Sequence, residues 1–267
     1  MNIDQLMNHF NLTAFPFGRA VSEAALLHHR SFSEATARLS LALSTRTPAL
    51  FIADPGLGKS TLLGALADSL KTTQTRLVYT PLCSCGPFGL IGQLAVRYGF
   101  HPKRSAAQTA QLILDELSRS QYTEIVILDE AHRLPVQTLD ELRLLSNLDF
   151  DRIPPFAMIL AGQSPLRETL AQPEMASLQQ RLAIRTSLSP LTEEETTQYL
   201  DRRLRGSGAR ITIFRPQAVA KIFEKTQGVP RLINNLAMTA LLAAAAAGKK
   251  YIDAQEVEDA FFDQENS

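Results

Sequence analysis

"FIADPGLGKST", residues 51–61, decides the reading of the fold. An apolar run ends at Ala53, glycines follow at 56 and 58, and "KSTLLGALADSL" (59–70) continues with the composition of a helix. Strand, glycine-bearing loop and helix, in that order, are the context of a phosphate-binding loop. Gly56 and Gly58 let backbone N–H groups curl around phosphate oxygens with no Cβ in the way. The helix N-terminus adds the positive end of its dipole. On this reading Asp54, Pro55, Gly56, Leu57, Gly58, Lys59, Ser60 and Thr61 hold a nucleotide. Lys59 reaches the β- and γ-phosphates, and the Ser60 hydroxyl binds Mg²⁺. The commonest form of the pattern begins with glycine, whereas this chain has Ala53. Alanine is tolerated there provided its φ stays negative, and the expectation is that it does.

A second stretch supports the first. "EIVILDEAHRL" (124–134) is an apolar strand that ends in two acids, Asp129 and Glu130. Adjacent carboxylates at the end of a buried strand require a cation nearby. Asp129 is read as the Mg²⁺ residue and Glu130 as the group that orients and polarises an attacking water. His132, just beyond, reads as a structural or helix-start residue.

Outward from these motifs, apolar strands recur with helical patterns between them. They are "ALFIA" (49–53), "RLVYT" (76–80), "EIVILD" (124–129), "FAMILA" (156–161) and, less regular, "AIRTSL" (183–188). Near-continuous apolar strands alternating with helices predict a buried parallel sheet. After Pro190 the pattern becomes helical: 191–204, 215–226, 230–248 and 253–262. Asp253 and Glu256 form a D-x-x-E variant of the capping signal. The expected organisation is an α/β domain over 1–190, with a leading segment 1–45, followed by a helical lid over 191–267.

Four later positions have the chemistry to stabilise charge on a transferring phosphoryl group. Gln163 follows the strand "MILAG", where a polar amide can hold water or a γ-phosphate. Arg181 and Arg185 precede or open the last strand, and either can face a neighbouring subunit's nucleotide. Arg231 follows Pro230, a helix N1 residue. A cation in the first helical turn opposes the dipole by a few tenths of a kcal/mol, so its placement fits a shared anion.

Composition narrows the alternatives. Of the 267 residues, 45% are hydrophobic and 20% charged, as in ordinary globular proteins. The formal net charge is zero, so a nucleic-acid partner requires a local basic patch. Lys103 and Arg104, beside His101 in "YGFHPKRSAAQ", are the candidate DNA contacts. The arginines at 202, 203, 205 and 210 read as lid packing and solvated surface. Cys83 and Cys85 read as reduced structural cysteines, too close in sequence for a zinc site of their own. No signal sequence is visible, and the most apolar run (238–248) is far shorter than a bilayer span. The expected location is cytoplasmic.

The ordered set "DPGLGKS", "ILDEAH", "LAGQSPL", "QRLAIR" and "GVPRLINNL", with "HFNLTAFPFGRA" before it, resembles an AAA+ ATPase of the ExeA/TniB-like group. The resemblance covers nearly the whole chain. It implies an AAA+ P-loop NTPase with a five-stranded parallel sheet and a C-terminal helical lid. ATP and Mg²⁺ then lie between neighbouring subunits of a ring or helical filament. It further implies Gln163 as sensor 1, Arg231 as sensor 2, Arg181 as the preferred arginine finger, and His29 and Arg30 near the adenine. "SPL" after Gln163 departs from the commoner "PEL". With no membrane segment in the chain, the leading expectation is a transposition helper similar to TniB, TnsC, IstB and MuB. Such a protein assembles on duplex DNA with ATP and recruits or activates a transposase. The alternatives are an ExeA-like ATPase of secretion or envelope machinery and a replication-initiator or loader-like switch.

Overall fold

The computed structural model describes residues 3–18, 21–71, 74–81, 86–145 and 154–265. Cys83 and Cys85 therefore lie outside the described residues. The strands are β1 (Ala49–Ile52), β2 (Thr75–Thr80), β3 (Thr123–Leu128), β4 (Ala157–Gly162) and β5 (Ile184–Ser187). The helices are α1 (Ile3–Phe10), α2 (Arg30–Ser44), α3 (Lys59–Ser69), α4 (Pro87–Arg97), α5 (Ala106–Arg119), α6 (Val136–Leu145), α7 (Pro165–Leu170), α8 (Ala176–Arg181), α9 (Glu193–Gly206), α10 (Pro216–Thr226), α11 (Pro230–Ala246) and α12 (Ala254–Glu265). All five expected strands form, each within two residues of its expected ends.

The chain divides into two compact units. One, the sheet unit, holds Ser31–Pro55 and Lys59–Leu188; the other, the helical unit, holds Met1–Arg30, Gly56–Gly58 and Ser189–Ser267.

In the sheet unit every strand pairing is parallel, and the order is β2-β3-β4-β1-β5. β1 and β4 are buried along their whole length. That burial is why their sequences read as continuous apolar runs rather than alternating ones. Leu50, Ile52, Val126, Leu128, Met158 and Leu160 join Leu90, Leu94 and Leu139 from the covering helices in one core. β4 stands between β1 and β3, so its tip lies between the loops that follow β1 and β3.

The helical unit has its own core, from Leu6 and Phe10 of α1 to Leu200, Ile222, Leu236, Leu241 and Val257 of the C-terminal helices. Ala237, Ala240 and Ala244 of the alanine-rich α11 are all buried, so small side chains set its close packing. Pro230 is at N1 of α11, and α9 begins with a full capping box between Thr192 and Glu195. The Glu256 carboxylate accepts the Asp253 N–H at 2.8 Å, as the D-x-x-E signal implies.

The sequence reading grouped residues 1–45 with the sheet. Residues 3–18 and 21–30 instead belong with the chain from Ser189 to Glu265, and the reason lies along α9. Thr13 and Ala14 donate N–H groups to Ser207 O. Arg203 donates to Pro16 O and Gly18 O at 2.8 and 2.9 Å. Ala25 packs so closely on Gly206 that a Cβ there would sit 2.7 Å from the Ala25 Cβ. At the far end, Arg30 N–H donates to Glu195 Oε1 at 3.1 Å. The described residues of the N-terminal arm thus meet α9 and its C-cap Ser207 at both ends, and five of their backbone groups find partners there.

Candidate nucleotide site

β1 delivers the loop. Ala53 is 1% exposed, and its N–H donates to Gly162 O at 2.9 Å, one step beyond the paired register of β1 with β4. Its φ is not among the positive ones, as expected. Ala53 is therefore a ladder residue whose Cβ packs in the core, which is why glycine is not needed there. The left-handed positions come later, at Gly56 (φ +88°) and Gly58 (φ +99°). At Gly58 an added Cβ would meet nothing within 4 Å, so backbone conformation, not packing, calls for glycine. At Gly56 a Cβ would meet Val229 Cγ1 and Arg231 Cβ, each at 3.0 Å, and Arg231 N–H donates to Gly56 O at 3.2 Å. The helical unit itself thus calls for a glycine at 56, a constraint beyond any ligand's.

α3 then starts at Lys59, with Ser60 exposed and Thr61 half-buried in its first turn. Lys59 pairs with both Asp129 and Glu130. Asp129, 4% exposed, also accepts the Glu130 N–H and the Tyr79 hydroxyl, both at 2.8 Å. Tyr79 is a site residue that the sequence reading missed. The only trace of it in the sequence is a tyrosine one residue before the end of a strand. Glu130 adopts a left-handed backbone (φ 55°, ψ 30°), a conformation that costs a β-carbon-bearing residue roughly 1–3 kcal/mol and clusters at functional sites.

Gln163 follows β4 and is half-buried, and its N–H donates to His132 Nδ1 at 3.4 Å. The departure to "SPL" has a local explanation. Ser164 donates its N–H (3.0 Å) and its hydroxyl (2.9 Å) to the Asp54 carboxylate. Those bonds, the backbone one first, hold the Asp54 carboxyl below its ordinary range. Asp54 thus ties the loop after β1 to the loop after β4.

The arginines separate. Arg185 Nε donates to Leu182 O at 3.0 Å, and a terminal nitrogen donates to Gln179 O at 2.6 Å, so its guanidinium braces the end of α8. Arg181 is the last residue of α8 and is half-buried. Arg231 is exposed, in the first turn of α11. Lys103 and Arg104 are exposed in the loop before α5, whose N-cap is Ser105. His29, buried beside Glu195, is held below its ordinary pKa by desolvation, against the pull of the Glu195 carboxylate. The structure thus brings Asp54, Lys59, Asp129, Glu130 and Gln163 together in the sheet unit. It places Arg231 against Gly56 in the helical unit.

The residues fit Mg²⁺ with a nucleoside triphosphate. Two left-handed glycines, one facing open space, open a helix of eleven residues. The oxygen donors Ser60 and Asp129 are of the hard type that Mg²⁺ takes. Among the described residues no cluster of three or more His, Cys, Asp or Glu suggests another metal.

A family described as AAA domain (AAA_22) matches residues 42–170, from before β1 through α7. The fold is the α/β P-loop AAA+ fold, and residues 42–170 carry the match to that AAA-domain family. General secretion pathway protein A of Aeromonas hydrophila is 30% identical over 249 residues, 91% of this chain but 45% of its own length. Among solved structures, Cdc6p of Pyrobaculum aerophilum is similar over 93% of this chain and 71% of that one, with a TM-score of 0.74 at 18% identity. Drosophila ORC bound to DNA is similar over 96% and 65%, with a TM-score of 0.62 at 16% identity. At those identities the likeness is one of fold.

Proposed function

We propose that the protein is an ATP-hydrolysing switch that assembles with copies of itself on duplex DNA and recruits or activates a transposase. The observation that carries the catalytic part is the cluster of Lys59, Asp129 and Glu130, with Lys59 paired to both carboxylates. In this reading Lys59 exchanges carboxylates for β- and γ-phosphate oxygens. Ser60 and Asp129 hold Mg²⁺, which when bound offsets the charge of those oxygens. Glu130 orients the attacking water, Gln163 senses the γ-phosphate, and Arg231 and a neighbour's Arg181 stabilise the charge that develops. Arg185 donates to two carbonyls of its own subunit and is read here as a brace for α8.

The DNA part rests on the loop between α4 and α5. His101, Lys103 and Arg104 are all exposed there, and among the described residues no hydrogen bond or ion pair engages their side chains. A ring or filament repeats such a loop once per subunit, so one or two phosphate contacts each suffice to hold DNA. A cytoplasmic protein fits this reading. The test is fluorescence anisotropy on random-sequence duplex DNA with ATP and Mg²⁺ across a salt series. Binding is expected to require nucleotide and to fall steeply with salt. Lys103→Ala with Arg104→Ala should flatten that slope. No binding even at low salt would sink the DNA reading and leave the ATPase reading standing.

A second reading, an ATPase of secretion or envelope machinery, is favoured by the identity shared with the Aeromonas secretion protein. Among the described residues no helix is long and apolar enough to cross a membrane. The matched part is less than half of that relative, so this does not separate the two readings. Indifference to DNA, together with binding to a secretion component, would favour the second.

A further inference from the structure

We propose that His132 is the positioning residue for Glu130, holding one carboxylate oxygen and tying it to the backbone at the tip of β4. The inference rests on the reading of Glu130 as the water-orienting group. His132 lies in a single helical turn, Ala131–Arg133, directly after Glu130, and its side chain is 13% exposed. Its Nδ1 accepts the Gln163 N–H at 3.4 Å. An acceptor at Nδ1 places the proton of a neutral imidazole on Nε2. Nε2 faces Glu130 Oε2 at 3.7 Å, a small rotation short of a hydrogen bond.

The two oxygens of Glu130 therefore have different neighbours: Lys59 is on Oε1 and His132 faces Oε2. When Lys59 turns to a phosphate, Oε1 is released to accept a proton from water, and the His132 N–H closes on Oε2 to hold it. The left-handed backbone of Glu130 fixes the direction from which the carboxylate starts. β4 is built to let this contact form. A Cβ on Gly162 would sit 3.2 Å from His132 N and 2.9 Å from Leu166 Cδ2, so the glycine lets the turn close on the strand. A shift of Gln163 on sensing phosphate is then passed through one imidazole to the catalytic carboxylate.

Two amide substitutions separate the halves of this role. In His132→Asn the amide oxygen falls near the place of Nδ1 and keeps the Gln163 bond, but nothing reaches Glu130. In His132→Gln the amide nitrogen falls near the place of Nε2 and keeps the donor to Glu130. Measured quantities are kcat and KM for ATP, affinity for a fluorescent ATP analogue, and melting temperature. With analogue affinity held within about twofold, His132→Asn should lose roughly 10–100-fold in kcat, at or below the lower end of a general-base contribution, as expected for a residue that positions the base rather than being it. His132→Gln should stay within about fivefold of the parent. Placed on Glu130→Gln, His132→Asn should cost no further rate, because residues that act as one unit are not additive. Equal activity of the Asn and Gln variants, or costs that multiply with Glu130→Gln, would overturn the proposal. Full turnover in Glu130→Gln itself would instead overturn the underlying reading of Glu130.

Discussion

Lys59 holds two carboxylates at once, and that sets what nucleotide binding has to replace. Asp129 is almost fully buried, so removing its cation leaves an uncompensated charge, which costs roughly 3–5 kcal/mol for a buried pair broken on one side. Lys59→Ala should therefore lose detectable binding of fluorescent ATP and lower the melting temperature as well. Glu130→Gln keeps the shape but loses the base and one of the two acceptor oxygens. It should bind ATP normally and hydrolyse it some 10²–10⁴-fold more slowly, read by phosphate release in single-turnover mixing. Normal turnover would exclude Glu130 as the water-activating group. Both residues were legible in the sequence, because a glycine loop and a strand-end acid pair are local patterns. The Tyr79 bond to Asp129 was not, since it crosses from β2 to β3 and depends on register. His132 was visible only as a helix-start residue, because its bond to Gln163 spans 31 positions.

At the scale of elements, the strands and C-terminal helices followed from apolar runs, capping residues and Pro230. The N-terminal arm did not, because its partner, α9, lies more than 150 residues away in sequence. Its anchor is Arg203, 3% exposed, with its guanidinium 5.9 Å from the Phe17 ring and 5.7 Å from the Tyr199 ring. A buried arginine whose donors go to backbone carbonyls acts as a clasp, and the sequence reading of it as lid packing meets that description. Arg203→Met keeps much of the apolar stem but leaves Pro16 O and Gly18 O without these donors. The expected cost is about 2–4 kcal/mol, from charge-assisted bonds lost and carbonyls left unpaired. Limited proteolysis should then cut within residues 13–30 before it cuts α9 to α12. If the variant resists protease as the parent does, the arm is held by apolar packing alone. Gly228 is a second constraint hidden from local patterns. It has φ +73°, and a Cβ there would meet Leu191 O at 1.9 Å.

For the whole molecule, a neutral chain with one nucleotide loop says little about its partners, because oligomer contacts and DNA contacts are surface properties without a sequence period. What does reach this scale is the division of labour among charged groups. The sheet unit holds Lys59, Asp129, Glu130 and Arg181, and the helical unit holds Arg231. If Arg181 serves a neighbour's nucleotide, a subunit lacking it still binds ATP and still offers its own Glu130. A Lys59→Ala subunit cannot bind ATP but still offers Arg181. Each protein alone should be nearly inactive. An equimolar mixture should regain activity at every interface where the nucleotide sits on an Arg181→Ala subunit and the arginine comes from a Lys59→Ala neighbour. With random mixing about a quarter of interfaces meet that condition, and an arginine finger contributes up to about 10³–10⁵ in rate in GTPases. The mixture's phosphate release should therefore exceed the sum of the two separate proteins several-fold and should rise with protein concentration as assembly proceeds. A mixture no faster than that sum would place Arg181 in its own subunit's chemistry or outside it. The same experiment with Arg185→Ala should show no rescue, because Arg185 braces α8 within its own chain.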